Sequence, residues 1–367
     1  MKALFLYTEA APYVLSCLQR LAEGHGVEVH LVRWPVNVEA PFAALQGNGI
    51  HAEVRDRSDD AGLFARCMGL APDIVFVSGW VDKAYLRVAR ALRAKDIPVV
   101  LCSDTAWRGD MRQWANVVLS RFWMKRTFSH AWVTGKAQAE YARCLGFPAV
   151  HIRTGFYSAD TALFEPLGRK LLAERTTTWP HRFLCVARYI PTKGQQLLCD
   201  AFAQLCENNE AGDWELWLAG TGELHEQVKN SPSGKHPRIK HLGFKQAEEM
   251  REVVAQSGAF VLPSLYEPWG VVVHEHAAAG LPLVLSSAVG AAERFLAEGE
   301  NGFQFPSGDK ARLRDALLAI IRRSDPELRA MGRRSADLGR GWSPEAWAET
   351  AVAIMNGRPV PAQKHRS

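Results

Sequence analysis

Short apolar runs alternate with longer amphipathic stretches along both halves of the chain. In the first half, Ala3–Tyr7, Val27–Val32, Ile74–Val77, Val99–Cys102 and Ala131–Thr134 are nearly unbroken apolar runs, as strands buried on both faces are. Helical stretches separate them, at Tyr13–Glu23 and Lys83–Lys95. In the second half, Phe183–Val186, Trp214–Ala219, Ile239–Leu242, Ala259–Leu262 and Leu283–Ser286 repeat the pattern. Lys193-Gly194 opens a helix carrying Leu197, Leu198, Ala201, Phe202 and Leu205, and further helices are predicted over Ala247–Ser257 and Pro344–Asn356. Strands alternating with helices predict parallel, doubly wound α/β sheets. Tyr157–Trp179 is polar and interrupted by Pro166 and Gly168, and reads as a linker.

Leu262–Pro282 organises the rest. Two buried parallel strands flank it, and a parallel pair needs a crossover, usually a helix. Gly270–Ala279 is the candidate, although its three valines are weak helix formers. Gly280 and Pro282 supply the stop. Glu267 then falls in the loop at the strand's C-terminal end, where open α/β sheets bind ligands. Glu275 lies about a turn and a half into the helix, and the amides around Trp269–Val272 form a site for an anion such as a diphosphate. The competing reading makes Glu267 a plain loop acid and Glu275 a solvated helix residue. Arg188 and Lys193 share the loop after Phe183–Val186 and suit a diphosphate. Gly220-Thr221-Gly222 after a strand is a weak phosphate signal.

Composition narrows the partners. The 367 residues suggest about two domains, and 47% hydrophobic with 23% charged residues is ordinary for a globular protein. The net charge of +5 does not indicate a nucleic-acid protein, and +4 of it lies in residues 1–160. The seven cysteines occur singly, with no C-x-x-C pair and no Cys/His cluster at zinc spacing, so reduced thiols are expected. No apolar run reaches the ~18 residues of a membrane span, and Leu4–Tyr7 is too short for a signal peptide's apolar region. The expected location is cytoplasmic, soluble or peripheral on the inner face of the membrane.

The first half offers fewer candidates. Thr8–Pro12 holds no glycine, which excludes a dinucleotide fingerprint there. Asp104, after the strand Val99–Cys102, is the best catalytic acid of this half; its alternative is an N-cap for the next helix. Asp56, Asp59 and Asp60 resemble a metal-binding cluster but lie in a polar loop and read as solvated. Met111–Phe128 predicts a helix with Met111, Trp114, Ala115, Val118, Leu119 and Phe122 on one broad face, flanked by Arg121, Lys125 and Arg126. Gln113, Asn116, Ser120 and Thr127 form a narrow strip opposite. That helix either packs in the first domain's core or lies on an anionic membrane.

In order along the second half come V-A-R-Y-I-P-T-K-G, L-A-G-T-G-E-L, H-L-G-F, P-S-L-Y-E-P-W-G-V-V-V-H-E-H-A-A-A-G-L-P and E-G-E-N-G. This series resembles the nucleotide-binding domain of family-four glycosyltransferases, retaining enzymes of the GT-B fold, over roughly Phe183–Met355. The resemblance implies two Rossmann-like domains with parallel sheets facing across a cleft: residues 1–160 on the acceptor side, 161–342 on the nucleotide-sugar side, and 343–367 as a helix crossing back, plus a tail. It implies that Arg188 and Lys193 hold the donor diphosphate. Glu267 would contact the sugar, beside the amides of Trp269, Gly270 and Val271, with Gly222 in the same donor site. Glu275 would bind the ribose, with Gly243–Lys245, Phe244 among them, near the base. Catalytic roles would fall to Glu267, Arg188, Lys193 and Asp104.

The chain departs from the family at Trp269, where phenylalanine is usual, and at Val289-Gly290, where two glycines are. Ser103-Asp104 stand where the family often has His-Asp. The implied reaction moves a sugar from a nucleotide-diphosphate sugar to an acceptor hydroxyl with retention, for cell-surface polysaccharide or glycolipid synthesis. No D-x-D pair is present, so no metal and no cofactor beyond the donor co-substrate is expected. A glycan or lipid-linked acceptor and an anionic membrane are the expected partners. The rivals are a non-catalytic partner subunit and a nicotinamide-dependent oxidoreductase.

Overall fold

A computed structural model describes residues 1–35 and 49–357, apart from the side chain of Arg121. The chain divides into two units, residues 1–158 with 343–367 and residues 159–342.

The first unit opens with β1 (Lys2–Tyr7), α1 (Pro12–His25), β2 (Glu28–Arg33), β3 (Ile50–Val54) and α2 (Asp60–Leu70). It continues through β4 (Ile74–Ser78), α3 (Lys83–Arg93), β5 (Val99–Ser103) and α4 (Met111–Thr127). Then come β6 (His130–Val133), α5 (Lys136–Cys144) and the short β7 (Ile152–Arg153). Its sheet has the order β3-β2-β1-β4-β5-β6-β7, all parallel. The order reverses between β1 and β4, which makes that the switch point where ligands of such sheets bind.

The second unit runs α6 (Thr161–Glu174), β8 (Arg182–Val186), α7 (Gln195–Glu207), β9 (Glu215–Ala219) and α8 (His225–Asn230). Next are β10 (Ile239–Gly243), α9 (Ala247–Ala255), β11 (Ala259–Leu262), α10 (Val271–Ala278) and β12 (Leu283–Ser286). It closes with α11 (Ala292–Phe295), β13 (Gly302–Phe305), α12 (Lys310–Ile321) and α13 (Asp325–Arg340). Its parallel sheet is ordered β10-β9-β8-β11-β12-β13, with the switch point between β8 and β11. The chain then returns to the first unit as α14 (Pro344–Met355). Its Trp347 is buried against Phe5 and Trp132, and the indole N–H donates to the Phe156 carbonyl at 2.6 Å.

Two expectations are corrected and one holds. The polar segment Tyr157–Trp179 is no linker: most of it is α6, whose Phe164, Leu167 and Leu171 are buried. Gly168 lets α6 approach α10, since a Cβ there would stand 2.4 Å from the Ala278 carbonyl oxygen. The acids Asp56, Asp59 and Asp60 are solvated as expected, and each also makes a local contact. Asp56 accepts hydrogen bonds from the backbone and hydroxyl of Ser58, Asp59 accepts from the Gly62 N–H at the start of α2, and Asp60 pairs with the buried Arg55. Asp104 caps no helix, because Asp110 is the N-cap of α4.

Candidate functional site

In the second unit the loops after β8 and β11 meet at the switch point. Leu265 N–H donates to the Thr192 carbonyl at 2.8 Å, and Gly194 is left-handed at φ 71° with no room for a Cβ, which would lie 2.3 Å from the Pro263 carbonyl oxygen. That contact brings Lys193 Nζ onto Glu267 Oε2, both largely buried. Arg188 stands exposed on the same loop, its carbonyl held by the side-chain amide of buried Gln195 at 2.7 Å. Glu267 is fixed through its backbone: its carbonyl accepts from Gly290 N–H at 3.1 Å, and that of Trp269 from Ala291 N–H at 2.9 Å. Trp269 is buried, filling the place of the expected phenylalanine.

Gly270, left-handed at φ 94°, turns the chain into α10, of which Val271 is the first residue. Helix propensity does not hold α10 together; packing does. Val273, His274, His276, Ala277 and Ala278 are all buried. His274 accepts from Ala159 N–H at its Nδ1 and donates from Nε2 to the Gly339 carbonyl, both at 2.9 Å, so it is neutral. Burial pushes both His274 and His276 down to about 4. Glu275, one turn below the helix start, is raised to about 7, first by burial and then by the nearby Asp160. Asp160 Oδ1 is itself buried without a hydrogen-bond partner among the described residues. Asp160, His274 and Gln195 are not among the expected site residues; Asp160 ends the segment G-F-Y-S-A-D at residues 155–160, and its place beside Glu275 is visible only in the fold.

Gly222 and Phe244 lie further along the same edge. Tyr189 N–H donates to the Thr221 carbonyl and Leu224 N–H to the Tyr189 carbonyl, which seats the Gly222 loop on the Arg188 loop. Gly220 N–H donates to the Gly243 carbonyl at 2.8 Å, so half-buried Phe244 follows beside it. The second-half candidates therefore sit on loops at one edge of one sheet or, like Val271 and Glu275, in the first turns of α10.

Asp104 belongs to the other unit. It follows β5, and Tyr157 O–H donates to its Oδ2 at 3.4 Å; Tyr13 packs edge-on against Tyr157 at 5.5 Å. Burial, then Asp104 and Tyr13, hold the Tyr157 phenol well above its usual range. Helix α4 presents its polar strip inward: Gln113, Ser120 and Thr127 are buried with Val117 and Met124. Burial is tolerated because each polar group is satisfied. Gln113 accepts from Arg108 and Gly109 N–H and donates to the Ala106 carbonyl, and Thr127 donates to the Trp123 carbonyl. The apolar face is left outward, with Met111 89%, Phe122 77%, Leu119 74% and Trp114 54% exposed. The core reading of that face is thereby overturned. Arg121, expected beside it, has a side chain outside the described residues.

Residues 180–323 match the family model described as Glycosyl transferases group 1. The chain is 29% identical over 236 residues to a phosphatidyl-myo-inositol mannosyltransferase of Mycobacterium leprae, covering 63% of this chain and 60% of that protein. It is 27% identical over 318 residues to a glycogen synthase of Mycobacterium tuberculosis, covering 83% and 72%. The chain thus spans about 60% of the length of the mannosyltransferase. Among solved structures, the Anabaena protein HepE, crystallised with UDP and glucose, superposes with a TM-score of 0.72 at 18% identity, over 97% of this chain and all of that one. Sucrose-phosphate synthase of Thermosynechococcus elongatus gives 0.72 at 16%, over 97% and 98%. Residues 180–323 are therefore similar to the glycosyl transferases group 1 family, within a chain whose two parallel α/β sheets have the GT-B fold.

Proposed function

We propose that the protein transfers a hexose from a nucleotide-diphosphate sugar to an acceptor hydroxyl, with retention at the anomeric carbon. The observation that carries this reading is the Lys193–Glu267 pair at the start of α10, with Glu275 one turn below it. In the reaction the bond between the sugar C1 and the diphosphate oxygen breaks, a bond to the acceptor oxygen forms on the same face, and the acceptor's hydroxyl proton leaves with the diphosphate. Lys193, Arg188 and the α10 amides balance the charge on the leaving diphosphate, a task for preorganised electrostatics and positioning rather than covalent catalysis. No divalent ion is needed for that step. Glu267 takes the sugar hydroxyls and Glu275 the ribose; Asp104, hydrogen-bonded by Tyr157, is the acid on the acceptor side. The Anabaena protein's UDP makes uridine diphosphate the first nucleotide to try.

The acceptor is a glycan or lipid-linked glycan in polysaccharide or glycolipid synthesis, met at the inner face of the membrane. Helix α4 supports this: its exposed apolar face is bordered by exposed Arg112, Lys125 and Arg126, and the helix contains no acidic residue. That combination fits an anionic bilayer surface. No helix among the described residues is long and apolar enough to cross a membrane.

The test is a panel of nucleotide sugars read by turnover and by thermal shift. A nucleotide at 100 times its Kd should add about 2.7 kcal/mol of stability. Turnover of any donor excludes a non-catalytic subunit. If neither stabilisation nor turnover appears with any nucleotide, the donor-site reading fails.

A further inference from the structure

The second strand pair of the first sheet carries a cluster that sequence spacing hides. Glu28 and His30 are two apart on β2 and share a face, while His51 sits directly opposite His30 in the β2–β3 register. Their ligand atoms all lie within 4.8 Å of one another. The two imidazoles stack at 4.7 Å, and His30 Nε2 is 2.7 Å from Glu28 Oε1. Beside them a cavity of about 340 Å³ separates the sheet from α2, lined by His30, His51, Glu53, Arg66 and Cys67 among others. Glu28 opens β2, so the cluster lies toward the N-terminal ends of these strands. Ser78 ends its strand, and Thr8 and Asp104 directly follow theirs, so all three lie at the opposite, C-terminal edge of the sheet.

We propose that Glu28, His30 and His51 bind one divalent transition-metal ion of the zinc type, with water from the cavity completing its coordination. Two imidazoles and a carboxylate are a ligand set that leaves a position open to water. Tetrahedral bonds of about 2.0–2.1 Å place ligand atoms about 3.3 Å apart, so small side-chain movements close the site. The Glu28–His30 contact at 2.7 Å opens slightly to admit the ion, and the metal replaces two facing imidazoles with a shared bond. Since His51 lies on the edge strand of the sheet, the ion would staple β3 to β2. The site is independent of the donor-binding reading, and its role is structural or regulatory rather than in the transfer step.

The experiment is titration of the tag-free full chain with Zn²⁺ by calorimetry, and with Co²⁺ followed by its visible d–d absorption. The expected result is one equivalent bound, weakened at least tenfold by His51→Ala and by His30→Ala. His225→Ala, a histidine paired with Glu226 elsewhere, serves as the control and should leave binding unchanged. A Zn²⁺-dependent rise in Tm, reversed by EDTA, should be seen in the wild type and the His225 variant and be absent from His51→Ala. Circular dichroism verifies that each variant folds. Binding of less than one equivalent by the wild type, or equal affinity in His51→Ala and wild type, overturns the proposal.

Discussion

The two switch points of the molecule are built differently. In the second unit the loops are seated by backbone contact: a Cβ on Gly194 would meet Pro263 at 2.3 Å, and one on Gly290 would meet Pro268 at 2.1 Å. In the first unit side chains do the seating. Thr8 N–H donates to Ser78 Oγ at 2.8 Å, and Tyr157 reaches Asp104. Glycine at a close approach admits no substitute, whereas a side-chain hydrogen bond can be made by several residue types. The second unit is thus held by close approaches that glycine permits, and the first by contacts that other side chains could also make. The residues matched by the family model, 180–323, fall in the second unit.

The largest test of that contrast is Lys193→Ala, which should lower kcat/KM by about 10²–10³-fold, the magnitude of removing one preorganised charge-stabilising group, on the order of 3–4 kcal/mol. Asp104→Asn should cost less; an equal loss would place the decisive chemistry in both units. Next, Gly290→Ala should destabilise the fold by about 1–3 kcal/mol through overpacking against Pro268, a fall of several degrees in Tm. Ser78→Ala, which removes only a side-chain acceptor, should cost about 1 kcal/mol or less. If urea midpoints show the two substitutions to be equal, the contrast between backbone and side-chain seating does not hold.

Glu275 gives a pH signature. Its folded value of about 7 lies above the unfolded range near 4.5, so its contribution to stability declines as pH rises from 4.5 to 7. His274 and His276, at about 4 when folded against 6.5, act oppositely: stability is lost as pH falls from 6.5 to 4. Between about 4.5 and 6.5 the unfolded chain holds two protons on the histidines and the folded chain one on Glu275. On these three groups, stability therefore rises with pH. Glu275→Gln removes the opposing slope and should be more stable than wild type at pH 8, by on the order of 1–3 kcal/mol. Denaturant titrations from pH 5 to 8 decide it; a variant no more stable than wild type at pH 8 contradicts the burial of an ionised Glu275. Glu275→Ala should also weaken nucleotide diphosphate binding by about 1 kcal/mol, whereas Glu267→Ala should depress turnover more than that affinity.

The last test concerns α4. Sedimentation with anionic liposomes at low salt should fall for Lys125→Glu with Arg126→Glu, by about 1 kcal/mol per charge removed. Unchanged sedimentation, or none in the wild type, leaves a water-borne acceptor as the better reading.

Most strands, the α10 crossover with Glu275 on it, and the loops carrying Lys193 and Glu267 were legible in the chain itself. Buried parallel strands leave continuous apolar runs, and close backbone approaches demand glycine wherever they occur. Three things were decided only in three dimensions. Met111–Phe128 has an apolar face and a polar strip, and periodicity alone does not say which one packs; satisfied hydrogen bonds at Gln113 and Thr127 turned the polar strip inward. Tyr157–Trp179 reads as a linker because a helix with Pro166 and Gly168 has poor local propensity, yet its packing against α10 outweighs that. Glu28, His30 and His51 converge only through strand register, since the pairing of β2 with β3 is a long-range contact that no local spacing encodes.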